Sequence, residues 1–251
     1  MKRTFASFLV VACTLIWAPR ALAQTADEVV EKHLAAMGGR AALAKLTTQI
    51  ASGSVTVATP EVELPGRVEI HRKAPNKSRT HITLDLSAVG GAEMVIIQSC
   101  DGKTGFASNS MQGDREITGD QLQGMLNANF PSPLLNYKDA GGKVEFVGKD
   151  KVRDRDVYVL QYTPRAGPAA RQYFDAETYL LLKAVAKVTI PDAGGEVEQV
   201  NELGDYRDVG GVKAPFTVSI ITAAQTVTIK LAKIEWNTPI DDATFARAVA
   251  K

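Results

Sequence analysis

The sequence lacks a strong charge of either sign. Its 251 residues carry 29 Lys and Arg against 28 Asp and Glu. A near-neutral chain has no basic face for nucleic acid, whose recognition depends on one, and no block of like charge to hold an anionic membrane surface. Cysteine is almost absent, with Cys13 and Cys100 alone. Aromatic residues make up 6%, too few for the aromatic girdles of a membrane barrel. Catalytic signatures are missing as well. There is no Gly-x-Ser-x-Gly elbow, no phosphate-cradling glycine loop and no dinucleotide fingerprint. No cofactor is implied, and the sequence gives no reason to read the chain as an enzyme.

One long apolar run is present, at the N-terminus. Lys2 and Arg3 precede the apolar stretch Phe5 to Trp17, and Ala21-Leu22-Ala23 supplies a small-x-small cleavage site before Gln24. This order is that of a cleavable secretory signal over residues 1–23. The run is shorter than the roughly 20 apolar residues that span a bilayer. A lipoprotein cut ahead of Cys13 would leave an apolar core of only Phe5 to Ala12, whereas the Ala-Leu-Ala site accounts for the whole segment. Cleavage after Ala23 predicts a periplasmic location. Removing Lys2, Arg3 and Arg20 takes the 29 basic residues to 26 against 28 acids, and it leaves Cys100 alone, without an internal disulfide. Cys100 follows the strand-like run Met94 to Ser99, which predicts burial. Residues 24–251 read as a single domain with no further run of membrane-spanning length.

That domain opens with helix. Thr25 and Glu28 have capping-box spacing, and Val29, Val30, His33, Leu34 and Met37 form an apolar stripe. Gly38-Gly39 stops it, and a short second helix follows from Arg40 to Leu46. The rest reads as β, with one helical interruption. Alternation runs through 54–59, 67–72, with Val68 and Ile70 on one side, and 81–86, with Ile82 and Leu84 together. Thr118 and Gln121 repeat the capping-box spacing ahead of Leu122, Met125 and Leu126. The second half predicts strands near 143–148, 156–163, 171–175, 179–190, 196–209, 212–223 and 225–236, with hairpin turns at 192–195, Gly210-Gly211 and Ala223-Ala224. Val227, Ile229 and Leu231 share a side. Long antiparallel strands, apolar on one side, suit a strongly curved sheet or half-open barrel with helices over its concave face: a mainly β, α+β fold.

Few residues invite chemistry. His33 lies on a helical apolar stripe with no second ligand one turn on. His71 and His81 flank the Ala74–Ser78 turn, but the sequence places no further ligand with them for the three or four that zinc takes. Asp241-Asp242 reads as a turn and cap. What the architecture offers is an apolar interior, lined by Val68, Ile70, Ile82, Leu84, Val227 and Ile229, with Trp236 at the end of the last strand, and with Leu122, Met125 and Leu126 as a lid helix. A filled core needs the same residues as an open cavity, and the pattern leaves both open.

Several runs also resemble a known family. They are Lys32-His-Leu-Ala-Ala-Met-Gly-Gly-Arg-Ala-Ala-Leu43, Cys100-Asp-Gly-Lys-Thr-Gly105, Tyr173-Phe-Asp-Ala-Glu-Thr178 with Leu180-Leu181, Asp205-Tyr-Arg-Asp-Val-Gly-Gly-Val-Lys-Ala-Pro215, and Asn237-Thr-Pro-Ile-Asp-Asp242 with Phe245. In this order and spacing they resemble the outer-membrane lipoprotein-sorting proteins, LolA/LolB-like, and the uncharacterised secreted members best. The resemblance implies a half-open barrel of about eleven antiparallel strands covered by helices, with a cavity for acyl chains. It implies a periplasmic carrier without catalysis, whose partner is a lipid, an acyl chain or a lipoprotein. The dedicated carriers have an aromatic-rich cavity, which this chain does not match. The other reading of the same architecture is an interaction module for an envelope protein, with a packed interior.

Overall fold

A computed structural model describes residues 24–190 and 195–247. The segment 1–23, expected to be a leader, and most of the expected turn at 192–195 lie outside the described residues. The first helix, α1 (Ala26–Ala36), starts where the capping box predicts: the Thr25 hydroxyl accepts from Glu28 N–H and the Glu28 carboxylate accepts from Thr25 N–H at 3.0 Å. It ends at Gly38 and Gly39, both at positive φ, and α2 (Arg40–Leu43) follows.

Thirteen strands then form one antiparallel sheet. They are β1 (Thr48–Ala58), β2 (Glu63–Lys73), β3 (Lys77–Asp85), β4 (Glu93–Cys100), β5 (Gly105–Asn109), β6 (Gly113–Ile117), β7 (Lys143–Val152), β8 (Arg155–Thr163), β9 (Ala170–Asp175), β10 (Leu181–Ile190), β11 (Gly195–Val209), β12 (Val212–Ile221) and β13 (Thr226–Trp236). The third helix, α3 (Gly119–Asn127), lies between β6 and β7 in the chain. Two meanders, β1 to β6 and β7 to β13, join where β1 pairs with β13, so β6 and β7 are left as the two edges and the sheet does not close. The sheet has two strands more than the family resemblance implies. β5 and β6 escape the periodicity because they are short and because β6, Gly-Asp-Arg-Glu-Ile, buries only Ile117. A short, charged edge strand of this kind also discourages pairing with other chains.

The sheet coils tightly. β1 carries a bulge between Ser52 and Gly53, and bulges bend a strand and strengthen its twist. A Cβ at Gly53 would strike the Lys230 carbonyl, and one at Gly66 would strike the Thr83 carbonyl, so these two positions let neighbouring backbones close in.

Directly opposed residues of antiparallel strands share a face. The pairing therefore traces one continuous inward row: Leu160, Gln172, Ala184, Asn201, Ile220, Val227, Val57 and Leu64. On the β8 side this face is covered. Val29, Val30 and Leu34 of α1, with Leu43 and Leu46, pack with Phe130, Leu134, Leu135 and Tyr137 of the 128–142 loop against Leu160, Tyr162 and Phe174. Polar ties hold the plug in place. Tyr137 and Lys138 both donate to Asp27, at 2.5 and 2.7 Å, and Arg40 donates to the Leu135 carbonyl at 2.6 Å and pairs with Glu31. On the opposite face the C-terminal segment docks on β2 and β3. A 3-10 helix (Asp242–Phe245) is capped by Asp241, Phe245 is fully buried, and Asp242 bridges Lys73 and Lys77 at 2.8 and 2.7 Å. Asp241 and Asp242 thus serve as cap and clamp. No helix among the described residues is long and apolar enough to cross a membrane.

Candidate functional site

The inward face is hollow on its other side. A cavity of about 590 Å³ lies against β1 to β4, β12 and β13. Its body is aliphatic: Val57, Leu64, Ile70, Ile82, Leu84, Met94, Ile96, Val218, Ile220, Val227, Ile229 and Leu231 line it. Alternation places them there. On β2 the inward row runs Leu64, Gly66, Val68, Ile70, Arg72, and on β13 it runs Val227, Ile229, Leu231. At roughly 3.3 Å per residue the β2 row is about 26 Å long, enough for a long hydrocarbon tail laid along the strands.

Of the sequence-predicted lining residues, Ile70, Ile82, Leu84, Val227 and Ile229 border this cavity. Val68 faces the same way but is 3% exposed, packed in the cluster with Val55, Leu84 and Ile229 rather than on the cavity wall. Trp236 sits elsewhere. Its Nε1 donates to the Val209 carbonyl at 2.9 Å, its ring lies 6.2 Å from that of Phe130, and it packs between the helical plug and the Ala51, Ala214, Phe216 and Ile234 cluster. It is a wall between the filled and hollow parts of the interior.

Leu122, Met125 and Leu126 lie on α3, none of whose residues is buried. The helix sits on the inward face beside the cavity and does not line it. Leu122 packs where a Cβ at Gly105 would lie 3.2 Å from its Cδ1, and the Leu126 carbonyl accepts from Asn76 at 3.2 Å. Gly105 belongs to the row Ile117, Gly105, Cys100, Ser78, Arg72, Gln49, Trp236, so α3 lies over the β5 end of the row that carries Arg72, and on its other side it meets β10, where Thr189 donates to Asp120 at 3.4 Å. The Thr118 side chain makes no cap hydrogen bond, and the Gln121 side chain accepts from Arg115 at 3.1 Å rather than from the Thr118 backbone.

Both ends of the cavity are polar. Thr59 and Gln225, at the β1–β2 and β12–β13 hairpins, form one rim. Gln49, Arg72, Thr80 and Gln98 gather at the other end. Arg72 lines this end of the cavity, and the protein packed around it pulls the guanidinium below its ordinary pKa. Its surface is nevertheless open. An open surface on a residue that lines the cavity is that of a side chain facing the hollow. Arg72 continues the parity of Val68 and Ile70, which is the signal by which sequence alone could find it.

The remaining sequence candidates stand apart from the cavity. His71 and His81 are on the opposite face, offset in register: His71 opposes Arg79, and His81 opposes Glu69. The structure also places a carboxylate beside one of them that the sequence reading had not, with His71 Nε2 3.1 Å from Glu69 Oε1. No group of three or more His, Cys, Asp or Glu among the described residues could hold a metal. Cys100 is buried and free, and burial raises its thiol. His33 is buried beneath α1, its Nδ1 donating to the Tyr179 carbonyl at 2.9 Å and its ring edge-on to Phe174 at 4.9 Å.

No protein-family model matches the chain, and no curated protein does. Solved structures do. A LolA superfamily protein from Nitrosomonas europaea aligns with a TM-score of 0.58 at 15% identity, covering 90% of this chain and 99% of that one. A DUF1329 family protein from Desulfovibrio piger gives 0.56 at 12%, covering 88% and 96%. One named as an outer membrane lipoprotein-sorting protein domain, from Vibrio parahaemolyticus, gives 0.55 at 11%, covering 87% and 95%. At such identities the likeness is one of fold. The open antiparallel sheet with its few helices has the fold of these LolA-like structures.

Proposed function

We propose that this chain is a periplasmic, non-catalytic binding or carrier protein that holds the acyl part of a lipid, free acyl chain or lipoprotein in the hollow limb of its sheet. The observation that carries this reading is the 590 Å³ aliphatic cavity, in a size range typical of small-ligand sites. Apolar burial, at about 25 cal/mol per Å², supplies the driving force. The N-terminal segment, with its cut after Ala23, supports export, and the fold shared with lipoprotein-sorting proteins supports a cargo of this class.

The test is lipid extraction and native mass spectrometry of protein recovered from the periplasm, with Ile82→Trp as the blocked variant. Wild type is expected to carry an acyl ligand and to bind a fluorescent fatty acid, and Ile82→Trp to lose both while staying folded. A wild-type protein that neither carries lipid nor binds the probe would overturn the carrier reading and leave the envelope interaction module in its place.

A further inference from the structure

Arg72 is out of keeping with the rest of the cavity. Among the described residues its side chain has neither an ion pair nor a hydrogen bond; the side chains of Arg165 and Arg171 also lack one, but neither lines this cavity, and Arg72 is the one charged residue that does. The guanidinium keeps its charge at any physiological pH. In the open hollow, water can solvate it. A purely hydrocarbon ligand that filled the hollow would strip that water and leave the charge enclosed and unpaired, which costs several kcal/mol. The aliphatic wall favours a tail, and Arg72 penalises a tail that arrives alone.

Resting on the carrier reading above, we infer that the ligand is an amphiphile with one compact anionic head, a long-chain carboxylate, whose head meets Arg72 while its tail lies along the Ile70, Ile82, Leu84 and Val227 wall. A carboxylate accepts two parallel bonds from a guanidinium. Gln49, which opposes Arg72 across the β1–β2 pair, and Thr80 and Gln98, which oppose each other one pair further on, add neutral donors at the same end. Arg72 is the one charged residue lining the cavity, and a single guanidinium matches the single charge of a carboxylate better than the higher charge of a phosphate monoester. An N-acylated lipoprotein terminus carries no anion and does not satisfy Arg72.

Calorimetric titration of the delipidated protein tests this with three probes of one chain length: hexadecanoate, hexadecanol and palmitoyl lysophosphatidic acid. Wild type is expected to bind hexadecanoate about 10- to 100-fold more tightly than hexadecanol, as a charge-assisted hydrogen bond provides. Arg72→Leu should erase that preference while still binding hexadecanol, which certifies that the variant is folded, and Arg72→Lys should restore part of it. Equal wild-type affinity for acid and alcohol, or a preference that survives Arg72→Leu, overturns the head-group assignment and leaves the carrier reading standing. Arg72-dependent binding tighter for the lysophosphatidic acid overturns the carboxylate in favour of a phosphate. If wild type binds none of the three, the carrier reading itself falls, and the assignment falls with it.

Discussion

The two limbs of the inward face have the same pattern and different fates. Around β7 to β10 the inward residues Tyr158, Leu160, Tyr162 and Phe174 meet α1, α2 and the 128–142 loop, and the space is filled. Around β1 to β4, β12 and β13 the inward residues are aliphatic where those of the filled limb are largely aromatic, no plug of described residues packs on them, and a hollow remains. The titratable groups follow suit. The filled limb buries the imidazole of His33, with its one hydrogen bond met by a backbone carbonyl, while the hollow limb carries the guanidinium of Arg72 without a side-chain partner among the described residues. A sheet face therefore becomes core or binding site according to which other segments of the chain can reach it. The alternation along the strands, which both limbs share, does not decide this.

Truncation should separate the limbs most sharply. Phe174 is fully buried against His33, and Phe174→Ala is expected to cost about 3–5 kcal/mol. Ile82 borders empty volume, so Ile82→Ala deletes few packing contacts and should cost less than about 2 kcal/mol. Urea unfolding of both variants gives the two numbers on one scale. Equal costs would mean that the hollow limb is as tightly packed as the filled one.

Much of this was legible in advance, for physical reasons that can be named. The period-2 runs gave the long strands β7 to β13 to within a few residues, because each is half buried and its alternation is clean. The apolar stripe of α1 gave Val29, Val30, His33, Leu34 and Met37; the first four are buried, and Met37, at the C-cap, is half-buried. The hollow itself was not legible. Ile82 in a cavity wall and Leu160 under a helix obey the same alternation, and the difference lies in the three-dimensional path of residues 128–142. Trp236 illustrates the same limit from the other side, since its place between the limbs is set by Phe130 and the Val209 carbonyl, both remote in sequence. Arg72 was within reach of the sequence, as the one charge on an otherwise aliphatic parity row.

The imidazole of His33 gives a second, smaller contrast. Burial lowers the His33 pKa from its ordinary 6.5. The unfolded chain then takes up a proton that the folded chain refuses, so the stability contributed by neutral His33 is full above about pH 6.5 and is lost as pH falls toward the depressed folded value. Unfolding midpoints between pH 7 and 5 should decline in wild type and decline less in His33→Gln. Arg72→Leu, which changes a group that stays charged throughout, should leave the slope of wild type untouched. A slope that survived in His33→Gln would place the pH-sensitive group outside the filled limb.

The smallest effect distinguishes the helices that serve the two limbs. Both begin with the same sequence signal, a Thr three residues ahead of a Glu or Gln. At Thr25 both capping-box bonds form, and α1 then delivers four buried residues into the filled limb. At Thr118 the hydroxyl makes no cap bond, and α3 lies over the β5 end of the Arg72 row with no residue buried. Thr25→Ala should therefore cost about 1 kcal/mol, the usual value of a lost N-cap, and Thr118→Ala should fall within about 0.5 kcal/mol of wild type, as an exposed substitution does. Amide hydrogen exchange supplies the matching readout: the α1 amides should exchange more slowly than those of α3, because helical stability comes mainly from a packed face rather than from the helix itself. Equal protection of the two helices would mean that α3 is fixed over the sheet as firmly as α1 is fixed in the core.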